Sequence, residues 1–230
     1  VNRLGFSSIF NSAQPKFRDL VFKVQGGSAK KRFSVWGIGG QNSLDFSLDS
    51  FADLNNTSHM WATGAKYEAF VSSAVQWRTI LSASSLSHKN SQKSIGGTSS
   101  ESKFSDLNQA NLRWVSEIDW WLSPHHRIES GFILSKLGYD LTSSLSFTFP
   151  NLGLVYEDTQ LNGQGSTYLG QFFVQTEQKI QSFTFRYGLH AQYFFLNDHS
   201  RIDPRFQVSY QSTPRSQWFL GLGQHSRLDP

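Results

Sequence analysis

Residues 182–195 read Ser-Phe-Thr-Phe-Arg-Tyr-Gly-Leu-His-Ala-Gln-Tyr-Phe-Phe. In a β-strand, Phe183, Phe185, Tyr187, Leu189, Ala191, Tyr193 and Phe195 share one side, and Ser182, Thr184, Arg186, Gly188, His190 and Gln192 share the other. A tilted strand crosses a bilayer with about 9–11 residues, so this stretch is long enough. One greasy side and one polar, charged side are what a transmembrane β-barrel strand requires, with lipid outside and a wet lumen inside.

The totals agree with that reading. The chain has 230 residues, room for one large β domain. Its mean hydropathy of -0.39 leaves no apolar run long enough for a transmembrane helix. A barrel survives this test, because lumen-facing residues dilute the hydrophobicity of lipid-facing ones. Aromatic residues make up 15% of the chain and charged residues only 17%, a β-rich balance. There is no cysteine, which excludes disulfides and thiolate metal sites. The net charge is +4, yet Lys and Arg are scattered rather than gathered on one tract, so no nucleic-acid partner is expected. The first residues, Val1-Asn2-Arg3-Leu4-Gly5, are neither an initiator Met nor a signal peptide, and the last five lack a terminal aromatic residue. Both ends therefore read as cut, with the whole of 1–230 one barrel segment.

The alternation recurs about ten times, over 19–24, 32–40, 59–71, 75–88, 108–122, 126–139, 166–180, 182–195, 201–210 and 217–228. Short links near 25–31, 72–74, 123–126, 179–182 and 212–216 alternate with long Ser/Asn/Gly-rich links at 41–57, 88–107 and 140–165, and a shorter one at 197–200. Tight turns at one end and long loops at the other are the habit of outer-membrane barrels. The fold expected is all-β: an antiparallel transmembrane β-barrel segment of about ten strands in five hairpins.

Paired residues share a face, so the apolar parity fixes the register of each hairpin. Ala110, Leu112, Trp114, Ile118 and Trp120 are even-numbered, as are Ile128, Phe132 and Leu134. The turn around Pro124 must then hold three or five residues. The turn at Ser72-Ser73-Ala74 must also be odd, and that near Ile180-Gln181 even. Aromatics gather near the short turns (Tyr67, Phe70, Trp77, Trp120, Trp121, Phe172, Phe173, Phe183, Tyr210, Trp218, Phe219) and are read as one interfacial girdle.

Chemistry-bearing patterns are sparse. None of the seven histidines has metal-ligand spacing, so no metal is expected. Ser58-His59, Ser87-His88 and His225-Ser226 are chance neighbours unless an acid completes a trio in space, so no catalytic residue is assigned. Gly37-x-Gly39-Gly40 and Gly221-x-Gly223 precede no helix and read as strand glycines, with no cofactor expected. The remaining candidates are lumen-facing polar residues, open as ligand contacts: Arg113, Glu117, Asp119, Arg186, His190 and Arg205, joined by Lys136 and Glu177. On the lipid side a mid-membrane charge would cost about 2–4 kcal/mol, so stability alone would turn these groups inward.

Several blocks in order give the chain a family likeness. Pro15-Lys16-Phe17-Arg18-Asp19-Leu20-Val21-Phe22-Lys23, Phe33-Ser34-Val35-Trp36-Gly37-Ile38-Gly39-Gly40, Gly188-Leu189-His190-x-Gln192-Tyr193-Phe194-x-Leu196-Asn197, Asp203-Pro204-Arg205 and Gly221-Leu222-Gly223-Gln224-His225-Ser226 together resemble TonB-dependent receptors of the Bacteroidetes type. In these a carboxypeptidase-like regulatory domain precedes plug and barrel. The resemblance implies the middle of a 22-stranded barrel in outer-membrane lipid, with signal, plug, TonB-contact segment and final strands outside these residues. It implies nutrient uptake driven by the TonB system, the protein's own plug as a partner, and a surface lipoprotein lid as a further possible one. The substrate is not implied. Two other readings stand beside it: a passive porin or adhesin-like barrel, and a soluble glycan-binding β-sandwich.

Overall fold

A computed structural model describes residues 14–48, 52–96 and 99–224. Ten strands form one antiparallel sheet in strict sequence order. They are β1 (Gln14–Gly27), β2 (Lys31–Leu48), β3 (Ala52–Phe70), β4 (Val75–Gly96), β5 (Ser99–Ser123), β6 (His126–Phe149), β7 (Leu154–Ile180), β8 (Phe183–Phe194), β9 (His199–Thr213) and β10 (Ser216–Gly223). A sandwich would need a second sheet, and all ten described strands lie in this one. The stretch at 225–228, expected to finish the last strand, lies outside the described residues.

The register follows the apolar parity. Trp121 pairs with Arg127 and Phe70 with Gln76, each enclosing five residues, while Ile180 pairs with Phe183 across the two-residue turn Gln181-Ser182. At Pro124 the odd count comes from a two-residue turn plus a bulge between Trp121 and Ser123. Three of the tight turns share one device, a side-chain oxygen accepting the N–H two residues on. Ser72 accepts from Ala74 at 3.2 Å, Ser123 from His125 at 3.2 Å and Thr213 from Arg215 at 3.3 Å. Gln181 sits at φ 53°, a left-handed conformation that a side chain disfavours. Gln181→Gly should therefore stabilise the hairpin by about 0.5 kcal/mol, net of glycine's entropy. Guanidinium titration of the intact protein in lipid vesicles reads this out, and a loss of stability would refute strain at the turn.

The long links expected at 41–57, 88–107 and 140–165 are instead strand for most of their length. Their Ser and Asn residues have low β-propensity, but those on β3 to β6 find ladder partners on both sides: Asn90 pairs with Asn56 and Ser105, and Ser105 with Ser143, while Asn162 on β7 pairs with Thr142 alone. β4 to β7 thus reach 22, 25, 24 and 27 residues, far beyond one membrane crossing. β8 and β9 end at Phe194 and His199, level with Leu169, whereas β7 runs on from Leu169 to Leu154, roughly 50 Å further along the strand.

Register also sorts the side chains into two faces. We call the face bearing Leu112, Trp114 and Leu189 the outer face, and the face bearing Arg113, Glu117 and Arg186 the inner. From the short turns up to Leu112 the outer face is apolar: Trp120, Ile118, Trp114 and Leu112 on β5 continue into Ile128, Phe132 and Leu134 on β6, then Val174 and Phe172 on β7, then Leu189 and Tyr187 on β8. Its few polar groups are bonded back onto the sheet. Thr63, Thr79, Ser130 and Thr176 donate to the carbonyls of Trp36, Val115, Phe173 and Arg127 at 2.9–3.1 Å. The indoles of Trp77 and Trp114 donate to Ser116 and Thr79 at 2.9 and 3.0 Å. Hydroxyls facing water need no such arrangement, whereas in hydrocarbon every donor must be met internally.

Lys136 departs from the expected inward placement. It pairs with Leu112 and Tyr168 on the outer face, because its even number shares the parity of Phe132 and Leu134. It stands at the upper edge of the apolar band, where a lysine can extend its ammonium toward headgroups. The aromatic cluster also divides. Tyr67, Trp77, Trp120, Phe172, Phe183, Tyr210 and Trp218 face outward, with Tyr67 edge-on to Trp77 and Phe183 stacked on Tyr210 at 4.7 Å between centroids. Phe70, Trp121, Phe173 and Phe219 share the inner face with their charged or polar partners and are no part of a girdle.

Above Lys136 the inner face of β6 and β7 becomes mainly apolar, while that of β3 to β5 stays mainly polar, with Asn90 beside Ser105 and Lys103 bonded to Glu101 at 2.9 Å. On the inner face Leu107 pairs with Leu141, Ser143 with Leu161, Phe147 with Tyr156 and Phe149 with Leu154. A bulge between Leu145 and Ser146 shifts the register so that Tyr156 and Leu154 stay on that face. The outer face at the same height carries Lys89 bonded to Asp106 at 2.9 Å, Asp45 near Lys16 at 3.7 Å, and Thr142 paired with Asn162.

Candidate functional site

The inner face near the short turns holds a belt of charge assembled from neighbouring strands. Arg78 on β4 donates to Glu117 on β5 at 2.6 Å and lies 3.9 Å from Asp119. Arg127, on β6, donates through Nε to Asp119 at 2.8 Å, makes a second bond to the same oxygen through Nη2, and reaches Glu129 at 3.4 Å. Gln175 donates to Glu129 at 2.7 Å. Further along, Arg186 on β8 donates to Glu177 on β7 at 2.6 Å, with Lys179 at 3.6 Å from the same carboxylate. Lys66 closes on Glu68 at 2.8 Å at the β3 end. Arg127 also lies over the Trp121 ring at 5.6 Å, and Trp121 stacks on Phe70.

Asp119 is only 7% exposed, so its two arginine partners are what make an ionised carboxylate tolerable there. Gly131 interrupts the belt opposite Glu117: a Cβ there would lie 2.7 Å from the Ser116 carbonyl and 2.9 Å from the Phe173 ring, which covers the gap.

The sequence candidates fall into three groups. Glu117, Asp119 and Arg186 belong to the ion-paired belt. His190 lies across from Phe173 and Asp203, with its Nδ1 buried and without a hydrogen bond. Asp203 is 1% exposed and has Arg201 at 3.4 Å. Arg205 pairs with Gly188 and Gly223 beside a shallow groove that Arg186 and Gln207 also line. Arg113 stands apart, between Ser82 and Ser135 in the middle of the face. Nothing in the sequence singles out Arg78 and Arg127, because only register brings them to Asp119.

None of the Ser-His sequence neighbours in the described strands is bonded as such, but one member of each of two pairs meets across strands. Ser58 Oγ and His88 Nδ1 lie 2.7 Å apart across β3 and β4. The residue paired with His88 on the next strand is Leu107, and among the described residues no carboxylate is bonded to this histidine. The dyad lacks the acid that would orient a catalytic imidazole.

No family model matches the sequence, and no curated protein matches it. Solved structures do match in fold. The chain is similar to the RagAB peptide importer in its closed-closed state, with a TM-score of 0.64 at 8% identity over 92% of this chain and 32% of that one. It is similar to BauA, the ferric preacinetobactin receptor from Acinetobacter baumannii, with a TM-score of 0.61 at 10% identity over 91% of this chain and 39% of that one. It is also similar to FyuA, the ferric yersiniabactin uptake receptor from Yersinia pestis, with a TM-score of 0.55 at 10% identity over 91% of this chain and 42% of that one. The chain spans about a third to two fifths of the length of these structures. It has the fold of a stretch of Gram-negative outer-membrane β-barrel, as an open sheet of ten strands.

Proposed function

We propose that this chain is part of the barrel of an outer-membrane importer, a TonB-dependent receptor whose plug fills the lumen that the inner face lines. The observation that carries the reading is the outer face: an apolar band about nine residues tall, its hydroxyls and indoles bonded inward, bounded above by Lys136. Nine residues at a tilt of 35–45° span about 23 Å, close to the lipid-facing band of outer-membrane barrels. The belt of ion pairs on the opposite face suits contact with a polar plug or with water, and the likeness to uptake receptors supports import over passive diffusion. The 22-stranded barrel, the Bacteroidetes-type regulatory domain, the energy coupling and a surface lipoprotein lid belong to this proposal. So does a role of Arg113, Glu117, Asp119, Arg186, His190 and Arg205 in contacting plug or ligand.

These 230 residues hold no cysteine, so single cysteines introduced here can be read in the intact protein in cells against the unsubstituted parent. A membrane-impermeant maleimide added outside should label Arg113→Cys and spare Leu112→Cys and Leu189→Cys, which a lipid-soluble maleimide should reach. Equal labelling of Arg113→Cys and Leu112→Cys by the impermeant reagent would overturn the barrel. If import is coupled to TonB, labelling of Arg113→Cys should fall when a protonophore collapses the inner-membrane gradient. Labelling indifferent to the protonophore would favour a passive barrel.

A further inference from the structure

The inner face is layered by height. Near the short turns most of its charges are paired within the belt, and above Lys136 its β6 and β7 strands are mainly apolar while β3 to β5 keep polar groups such as Asn111, Gln109 and the Lys103–Glu101 pair. Between the two layers stands Arg113, exposed and with no ion pair among the described residues. The belt carboxylate on its own strand, Glu117, is four residues away, roughly 13 Å. On its β6 and β7 side the face presents Leu137 diagonally above, Ile133 diagonally below and Leu169 beyond Ser135; Val115 lies below it and Asn111 above it on β5, and Ser82 lies opposite on β4 with Ile80 and Ser84 on the diagonals. Ser135, directly opposite, is only 5% exposed.

With aliphatic side chains on its β6 and β7 side and only aliphatic, hydroxyl or amide groups nearby on β4 and β5, the Arg113 guanidinium has no partner for its planar fork of donors among the described residues, and such a fork matches a planar carboxylate. The apolar neighbours continue upward through Leu137, Leu141 and Leu107, so the same wall accepts a hydrophobic body. We infer that this wall binds an amphiphilic monocarboxylate, its carboxylate on Arg113 and its apolar part against Leu137, Leu169 and Leu141. The inference rests on the inner face lining a lumen and adds the substrate class. Charge selects the occupant: a neutral apolar solute would leave the guanidinium unused, and a polyanion would find one cation with leucines beside it on β6 and β7.

The test uses the intact protein in lipid nanodiscs, with 2-naphthoate and its neutral isostere 2-naphthamide as probes, read by saturation-transfer NMR titration against empty nanodiscs. Naphthoate should bind at least about 5-fold more tightly than naphthamide, the scale of one charge-assisted bond partly exposed to water. Arg113→Gln should abolish that preference and leave naphthamide affinity unchanged, while Arg113→Lys keeps part of it. Leu137→Ser should weaken both probes alike. Equal binding of the two probes, absence of binding, or a preference that survives Arg113→Gln would overturn the inference. The maleimide pattern at Leu112→Cys and Leu189→Cys is read on the same preparation. A correct pattern without naphthoate preference refutes the ligand alone, and a wrong pattern refutes the barrel.

Discussion

Leu189→Arg is expected to destabilise the protein in lipid by about 2–4 kcal/mol, the cost of a guanidinium on the lipid side at mid-membrane depth. Leu189 lies between Val174 and Pro204 on the outer face, six residues from the turn at Gln181-Ser182 and near the middle of the apolar band. The control is Gln175→Arg, one residue along from Val174 but on the inner face. There the new guanidinium inherits Glu129, which Gln175 already reaches at 2.7 Å, and the change should stay within about 0.5 kcal/mol. Guanidinium titrations of the intact protein in vesicles, followed by tryptophan fluorescence, compare the two. Similar costs at both positions would mean that both faces meet the same medium.

The second large effect is Asp119→Ala. It removes the carboxylate shared by Arg127 and Arg78 and leaves two arginines drawn toward Glu129 and Glu117. Breaking a fully buried pair costs about 3–5 kcal/mol. Here the arginines are about a third exposed and keep one partner each, so about 2–3 kcal/mol is expected. Asp119→Ala combined with Arg127→Met should be less damaging than Asp119→Ala alone, since it removes the cation left short of charge. A double-mutant cycle measures this, and a combined loss equal to the sum of the single losses would show that the pair is uncoupled.

The barrel class was legible because two pieces of sequence, 108–122 and 182–195, alternate cleanly enough to fix both faces, and the turn parities carried that pattern to their neighbours. The tall extensions were not legible. Ser and Asn at 88–107 and 140–165 look like loop, and what holds them extended is a backbone ladder to neighbouring strands, on both sides as far as β6 and on one side along the upper part of β7, which composition does not encode. Lys136 was readable in principle: its even number already placed it with Leu134, and grouping it by charge rather than by parity sent it to the wrong face. The belt was half legible. Glu117, Asp119 and Arg186 could be assigned to a face from period alone, but their partnerships depend on which residue a neighbouring strand sets opposite. The same holds for Trp121 and Phe70, whose nearness to short turns suggested a girdle although their parity is that of the charges.

The unequal heights of the strands give the mouth of this wall a low side. The β8–β9 hairpin turns over at Phe195–Asp198, with Tyr193 donating to Asp198 at 2.7 Å, and its last pair, Phe194 with His199, lies in the same cross-strand row as Leu169, Ser135 and Arg113. Three strand spacings, about 15 Å, separate that hairpin from β5. The tall hairpins therefore act as a parapet with a sill cut beside it at the depth of Arg113. On the proposed barrel wall, a solute passing over that hairpin meets the guanidinium at floor level, without first climbing the full height of β4 to β7.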